Sequence, residues 1–166
     1  LFFAVWPDAI AAARLEAVAT VARSVCGGRA MARDSLHLTL AFLGEVSLEQ
    51  AAAARVAADG LRQPGFELCL DRLGYWRHNH ILWAGGDCPP LVTLAGRLQQ
   101  ALGRAGFQME ERPFATHLTL LRNARCASPP DLVEPVRWPV REFLLVASDP
   151  TSGRAAYRAV HRWALG

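Results

Sequence analysis

The tetrapeptide His-Leu-Thr-Leu occurs twice in this chain, at residues 37–40 and 117–120. Each copy follows a segment with helical spacing of apolar residues and a short loop, which indicates two related helix-then-strand units. In a strand, side chains two positions apart share a face. The His and Thr of each copy therefore project together, while the leucines point the other way, into a core. We expect the two polar faces to line one groove.

The order of the predicted elements indicates an α+β fold. Apolar patterns and turn residues predict strand, helix, strand, helix, strand, strand, helix, strand, strand, strand, which lacks the strict alternation of a doubly wound sheet. The predicted helices are 8–25, 48–62 and 88–102. The predicted strands are 1–6, 35–44, 66–76, 80–85, 116–122, 140–148 and 155–165. We expect one domain over 1–166, made of two interleaved lobes without a linker.

The helices carry their own start signals. Asp8 is placed to cap the first helix, and Ser47 with Gln50 forms a capping box for the second. The first helix carries apolar residues at near-helical spacing, namely Ile10, Ala13, Ala17, Val21 and Val25. The third helix is predicted to bury Leu91, Leu94, Ala95, Leu98 and Leu102.

Charge and cysteine content narrow the class of protein. The net charge of +3 permits an anionic ligand without requiring a surface coated by nucleic acid, and the basic residues are arginines, which grip phosphate well. None of the four cysteines forms a C-x-x-C pair, and no secretory signal is recognisable. We therefore expect reduced thiols in a cytoplasmic protein. Charged residues interrupt the longest apolar stretches, so no membrane-spanning segment is predicted.

Two imidazoles and two hydroxyls suit phosphodiester chemistry. One imidazole can act as base on the attacking oxygen and the other as acid on the leaving oxygen, because the pKa of His lies near neutrality. Thr hydroxyls can donate to the non-bridging oxygens, where negative charge builds. Arg122, five residues after His117, would assist, but strand alternation places it on the opposite face unless the strand ends or bulges.

Other polar and aromatic residues allow further interpretations. His78, His80 and Cys88 could ligate a metal, although a polar hairpin turn explains the two histidines better. Phe42, Tyr75 and Trp76 could stack on a nucleobase, although aromatic residues in strands more often belong to a core. His161 has the pattern of an ordinary strand residue. The sequence contains neither a G-x-S-x-G motif nor a Gly-rich P-loop.

The doubled motif and its surroundings resemble the 2H phosphoesterases. Within them, the chain is most similar to the RNA 2′,3′-cyclic phosphodiesterases, also called 2′-5′ RNA ligases. The stretches that carry the resemblance are LFFAVWPDA, DSLHLTLAFLGEV, RQPGFELCLDRLGYW, RPFATHLTLLR and YRAVHRWAL, which together span nearly the whole chain. The resemblance implies a bilobal, pseudo-twofold α+β fold, with two antiparallel-rich sheets lining a central cleft and helices outside.

The resemblance also implies an activity. The enzyme would hydrolyse a terminal 2′,3′-cyclic phosphate on RNA to a 2′-phosphate, without a metal or nucleotide cofactor. It would also catalyse weak, reversible 2′-5′ ligation of tRNA halves. Its expected partners are RNA ends or cyclic nucleotides, with no membrane, and we expect a monomer.

Site residues follow from the same resemblance by motif position. His37 and His117 are implied as the catalytic pair. Thr39, Thr119 and Arg122 are implied as phosphate contacts. In the family the first His is usually the proton donor and the second the acceptor, and this sequence does not decide that order.

Two rival hypotheses come from other classes of protein. The Arg-rich composition also fits a module that binds RNA ends without turnover. The histidines also fit a metal-dependent hydrolase.

Overall fold

The computed structural model describes residues 1–149 and 156–166 and has an α+β architecture. The helices are α1 (Ala9–Cys26), α2 (Leu48–Asp59) and α3 (Pro89–Arg104), with a single 3₁₀ turn at Arg33–Ser35. The strands are β1 (Phe2–Val5), β2 (Arg29–Ala30), β3 (Leu38–Phe42), β4 (Phe66–Leu70), β5 (Arg72–Trp76), β6 (Ile81–Gly85), β7 (His117–Arg122), β8 (Val136–Val140), β9 (Glu142–Asp149) and β10 (Ala156–Ala164).

Within residues 1–149 and 156–166, the strands form two four-stranded sheets and one two-stranded sheet. The strand order is β10-β9-β1-β3 in the first sheet and β2-β7-β6-β5 in the second, and β4 pairs with β8. Every pairing is antiparallel. The two His-Leu-Thr-Leu strands, β3 and β7, thus belong to different sheets, and they contact each other. This arrangement brings the polar faces of the two motifs to one cleft.

Two helix start signals and one buried stripe are confirmed. The Asp8 carboxylate accepts a hydrogen bond from the Ala11 amide at 2.8 Å. Ser47 and Gln50 exchange both bonds of a capping box, which satisfies amides at the start of α2 that have no helical partner. The buried residues of α3 are the predicted ones, Leu91, Leu94, Ala95, Leu98 and Leu102.

The buried face of α1 differs from the apolar series in the sequence. Ile10 and Val21 are 76% and 66% exposed, and Val25 is also exposed. The buried face consists instead of Ala11, Ala12, Leu15, Ala19, Ala22 and Cys26. Because α1 is rich in alanine, two faces have similar hydrophobicity. The face of small residues packs on the core, since it lets the helix axis approach the sheets closely.

The prediction of one strand over 66–76 is wrong. Asp71 separates β4 from β5, and these two strands pair with different partners. Strand β8, which contains Pro139, was not among the predicted strands. Since β8 pairs only with β4, it is an edge strand, where a proline is tolerated. The last two predicted strands, 140–148 and 155–165, form the antiparallel pair of β9 and β10, and residues 150–155 between them lie outside the described residues.

The prediction that all cysteines are reduced thiols is also wrong. Cys26 at the end of α1 and Cys126 after β7 form a disulfide, whereas Cys69 and Cys88 are free. The bonded cysteines are 100 positions apart, so their spacing carried no signal. They meet because β2, which follows α1, pairs with the end of β7.

The main core lies between the helices and the two large sheets, and a smaller apolar cluster formed around Phe2 covers the other face of the first sheet. Among residues 1–149 and 156–166, no helix is both long and apolar enough to cross a membrane.

The contribution of the core can be tested on helices α3 and α2. Leu98 is completely buried, whereas Leu48 is 92% exposed. We expect Leu98→Ala to lower the free energy of unfolding by about 2–5 kcal/mol, because it removes apolar contacts and leaves a cavity. The same change at Leu48 should alter it by about 0.5 kcal/mol or less. Urea unfolding followed by circular dichroism measures both. Equal effects would contradict the assignment of the buried face of α3.

Candidate active site

Strand β7 contains a β-bulge at Leu120, because consecutive residues of β6 pair with Thr119 and with Leu121. The extra residue reverses the alternation of side chains, so Leu120 and Leu121 are both buried although they are neighbours. Arg122 therefore lies on the same face as His117 and Thr119. The sequence predicted that Arg122 could reach a phosphate only if the strand ended or bulged before it. The structure shows that the strand bulges.

Strand β3 has the same irregularity at Leu40. Consecutive residues of β1 pair with Thr39 and with Ala41, and both Leu40 and Ala41 are buried. Phe42 then returns to the face of His37 and Thr39 and is 68% exposed. The two motifs thus present three side chains each, and they differ at the last position, which is aromatic in β3 and cationic in β7.

Both histidines are held in the same way. The Nδ1 atom of His37 lies 2.8 Å from the carbonyl oxygen of Ser35, and that of His117 lies 2.9 Å from the carbonyl oxygen of Ala115. A carbonyl can only accept a hydrogen bond, so Nδ1 carries the hydrogen in each ring. Each neutral imidazole then presents the lone pair of Nε2. This arrangement prepares two equivalent groups for proton transfer.

The surroundings of the two rings differ. His37 lies among aromatic side chains, with its ring centroid 4.8 Å from that of Trp6, 5.0 Å from that of Phe2 and 5.1 Å from that of Tyr157. The ring of His117 contacts the edge of Trp76 at 4.7 Å. His37 is therefore the more enclosed of the two.

The pKa of His37 lies below its ordinary value. Burial is the largest cause, because it removes the charged form from water, and the hydrogen bond to Ser35 opposes it. The positive charge of Arg122 lowers the pKa further, and so does that of His117 when its ring is protonated. Arg122 and His117 both belong to β7. The pKa of His37, just before β3, is therefore coupled to charges on the facing strand.

A cavity of about 610 Å³ adjoins this face. Thr39 and Phe42 line it from β3, His117 lines it from β7, and Trp76 and His78 line it at the end of β5 and just after it. Of the two interpretations of Phe42, a core residue or a side chain open to a ligand, its exposure excludes the core. The size of the cavity and its aromatic walls suit a nucleotide-sized ligand.

Tyr75 and His80 do not belong to the cavity. The Tyr75 hydroxyl donates to the carbonyl oxygen of Ala124 at 2.8 Å and accepts from Nδ1 of His80 at 3.0 Å. The thiol of Cys88 is directed instead to the carbonyl oxygen of Glu67. Within the described part of the chain, no group of three or more His, Cys, Asp or Glu residues is arranged to hold a metal ion.

The comparison with protein families gives one match that covers most of the chain. Residues 5–150 match the model of the 2′-5′ RNA ligase superfamily. The chain belongs to the 2′-5′ RNA ligase superfamily.

Curated members of the superfamily are similar along most of their length. An RNA 2′,3′-cyclic phosphodiesterase of Escherichia coli (strain K12) is 45% identical over an alignment of 145 residues, and the match covers 83% of this chain and 80% of the relative. An RNA 2′,3′-cyclic phosphodiesterase of Thermus thermophilus is 31% identical and covers 99% of this chain and 89% of its own. The crystal structure of E. coli LigT complexed with 3′-AMP superposes with a TM-score of 0.85 at 40% identity, covering 99% of this chain and 96% of that one.

The implied site residues of this superfamily member lie on the facing strands. His37 and Thr39 belong to the face of β3 that looks into the cleft, and His117, Thr119 and Arg122 to that of β7. In the described residues, neither threonine hydroxyl has a hydrogen-bond partner within the protein, so both are free to bind a ligand.

Sequence reasoning missed the aromatic residues around His37 and the exposure of Phe42. A signal for the bulges was present, since each motif continues with two adjacent apolar residues, at 40–41 and at 120–121. That pair breaks the alternation of a strand and is typical of a bulge. Nothing local identified Trp6 and Tyr157, because they come from opposite ends of the chain.

Proposed function

We propose that this protein hydrolyses the 2′,3′-cyclic phosphate at the end of an RNA and leaves a 2′-phosphate. The observation that carries the proposal is the pair of imidazoles, each tied through Nδ1 to a backbone carbonyl and each presenting Nε2 on facing strands. The curated relatives, which are RNA 2′,3′-cyclic phosphodiesterases, support the choice of substrate.

The reaction is an in-line displacement at phosphorus. Nε2 of His117 accepts a proton from water as its oxygen attacks phosphorus, and the bond from phosphorus to the 3′-oxygen breaks. Nε2 of His37, protonated at that moment, gives its proton to the departing 3′-oxygen. The two protons balance, so the enzyme ends with His37 neutral and His117 protonated, and exchange with water restores both.

The surroundings of the rings support this assignment of acid and base. The lowered pKa makes protonated His37 a stronger acid than an ordinary imidazolium, which favours proton donation to the leaving oxygen. His117 is the less enclosed ring, which favours access for the attacking water. A bound phosphate anion offsets the positive charges around His37 and helps it to hold its proton until the bond breaks.

The charge that builds on the non-bridging oxygens needs donors. We propose that the hydroxyls of Thr39 and Thr119 donate to these oxygens and that the guanidinium of Arg122 binds them. Together with the two imidazoles, these groups account for every proton and charge in the step. We therefore propose hydrolysis without a metal or a nucleotide cofactor.

Ligation is the same chemistry with another nucleophile. An RNA 5′-hydroxyl in place of water would attack the cyclic phosphate and form a 2′-5′ linkage, and the same two histidines would exchange the protons. We propose this as a weak, reversible side reaction, supported by the membership of the 2′-5′ RNA ligase superfamily.

Product analysis tests the proposed function. We expect purified protein to convert an RNA ending in a 2′,3′-cyclic phosphate into one ending in a 2′-phosphate, with the rate unchanged by excess EDTA. A 3′-phosphate product would contradict the proposed leaving group. Binding without any product would support the module that only binds RNA ends, and loss of activity in EDTA would support a metal-dependent hydrolase.

The pKa of His37 gives a prediction on pH dependence. Since burial and the Arg122 charge both lower this pKa, we expect His37 to titrate below about 6.5, the value of a free imidazole. Removing the charge in Arg122→Met should raise the pKa, and the alkaline fall of kcat/KM assigned to this acid should move to higher pH. NMR titration of the His37 ring measures the shift directly. An unchanged or lower pKa in the variant would contradict the electrostatic coupling.

A further inference from the structure

A second arginine lies directly beside Arg122. Strand β2 pairs with the end of β7, so that Arg29 is opposite Arg122 and Ala30 is opposite Leu121. Residues directly opposite in an antiparallel pair project to the same face of the sheet. Ala30 packs against the core with Leu121, and Arg29 is exposed on the face that Arg122 shares with His117 and Thr119.

Among the residues that the structure describes, no carboxylate compensates this pair of cations. Neither Arg29 nor Arg122 forms an ion pair there, whereas six other arginines do. Like charges directly opposite each other in a sheet are destabilising. An anion bound beside these two guanidinium groups would relieve their mutual repulsion.

The backbone holds the two arginines together closely. Gly28 has a φ of +81°, and a Cβ at this position would lie 2.6 Å from the carbonyl oxygen of Arg122. Any other residue would therefore push β2 away from β7. The amide of Met31 donates to the carbonyl oxygen of Leu120 at 2.9 Å, and the amide of Arg125 donates to that of Cys26 at 2.7 Å. The backbone contacts of Gly28 before Arg29 and of Met31 after it therefore hold Arg29 beside β7.

We propose that Arg29 binds the phosphodiester next to the cyclic phosphate and so makes the enzyme prefer RNA strands to mononucleotides. This inference rests on the proposed function. A cyclic phosphate carries one negative charge, which Arg122 matches. The second cation is left for a second phosphate, which an RNA strand supplies and a 2′,3′-cyclic mononucleotide lacks.

The kinetic test compares two substrates and two variants. The substrates are 2′,3′-cyclic AMP and a short RNA that ends in the same cyclic nucleotide. We expect Arg29→Ala to raise KM for the RNA by about tenfold, which is the effect of losing one charge-assisted contact. KM for the mononucleotide should change by less than about twofold, because it has no second phosphate to lose a contact. The control is Arg55→Ala, which removes the same charge from an exposed position of α2 and should affect neither substrate.

Two kinetic outcomes would overturn the inference. An equal rise in KM for both substrates would mean that Arg29 contacts the reacting phosphate or has a structural role. An unchanged KM for both substrates would mean that Arg29 does not contribute to binding. Salt dependence adds a second readout. The slope of log KM against log salt for the RNA should become shallower by about 0.7 in Arg29→Ala, as expected for one fewer phosphate contact on a single strand.

A binding measurement separates this inference from the proposed function. Fluorescence anisotropy of a labelled RNA ending in a 2′-phosphate can be recorded with the double variant His37→Ala/His117→Ala, with and without Arg29→Ala. We expect the added change to lower affinity by about tenfold. If the wild type shows no turnover but this loss is observed, the proposed function fails and the role of Arg29 stands. If affinity is unchanged, the role of Arg29 fails.

Discussion

Replacing either His37 or His117 with alanine is expected to lower kcat on an RNA 2′,3′-cyclic phosphate by about 10²–10⁴-fold. Each ring supplies one proton transfer through Nε2, the atom that its hydrogen bond at Nδ1 leaves free. Initial rates of 2′-phosphate formation measure the effect. Since the two transfers belong to one step, the double variant should be little slower than the slower single variant.

The chain offers a matched control on the same sheet. His161 lies on β10, after a bulge between Ala159 and His161, and its ring contacts Trp163 of the main core at 4.5 Å. It is therefore on the side of the sheet away from His37. His161→Ala should keep nearly full activity. Full activity of either His37→Ala or His117→Ala, with the fold retained by circular dichroism, would refute acid–base catalysis by this pair.

The conservative variants separate chemistry from shape. Gln at either position keeps a polar side chain that can donate a hydrogen bond, but its amide is neither an acid nor a base near neutral pH. We expect His37→Gln and His117→Gln to be as slow as the alanine variants. Substantial rescue by Gln would mean that the rings position the phosphate and do not transfer protons.

Replacing Thr39 or Thr119 with valine is expected to lower kcat by about 10²-fold or more, the cost of one donor to a developing oxyanion. Valine keeps the branched shape of threonine, and so the strand should be undisturbed. The hydroxyl is the only group removed, and in the residues that the structure describes it has no other hydrogen-bond partner. The loss should appear in kcat more than in KM, because the charge on the oxygens is greatest in the transition state.

Thr20 provides the control for these variants. Its hydroxyl donates to the Glu16 carbonyl oxygen of its own helix at 3.0 Å and is exposed. Thr20→Val should leave kcat unchanged, and urea unfolding should show a small effect on stability. A loss confined to KM in Thr39→Val or Thr119→Val would contradict the proposed stabilisation of the transition state and would leave ground-state binding as the role.

Much of the architecture could be predicted because its signals are local. The capping box at Ser47 and the buried stripe of α3 depend on residues within one or two turns of a helix, so a short stretch of sequence specifies them. The face of α1 could not be predicted in this way. A helix rich in alanine has weak amphipathicity, and the choice between its faces depends on how closely the sheets can approach.

The same distinction holds within the candidate site. That His and Thr share a face in each motif follows from the alternation of any strand, so the sequence by itself determined these two pairs. The positions of Arg122 and Phe42 depend on bulges opposite β6 and β1, which come from elsewhere in the chain. The pKa of His37 depends on burial and on charges carried by β7.

The sequence alone determined which side chains can carry out the chemistry and which of them lie together on one strand. The tertiary structure decided what surrounds them: the opposition of Arg29 to Arg122, the pairing of Cys26 with Cys126, and the aromatic enclosure of His37. The physical reason is the distance along the chain over which each interaction acts. Strand alternation is set by neighbouring peptide units, whereas register, burial and electrostatic coupling exist only after distant segments have packed together.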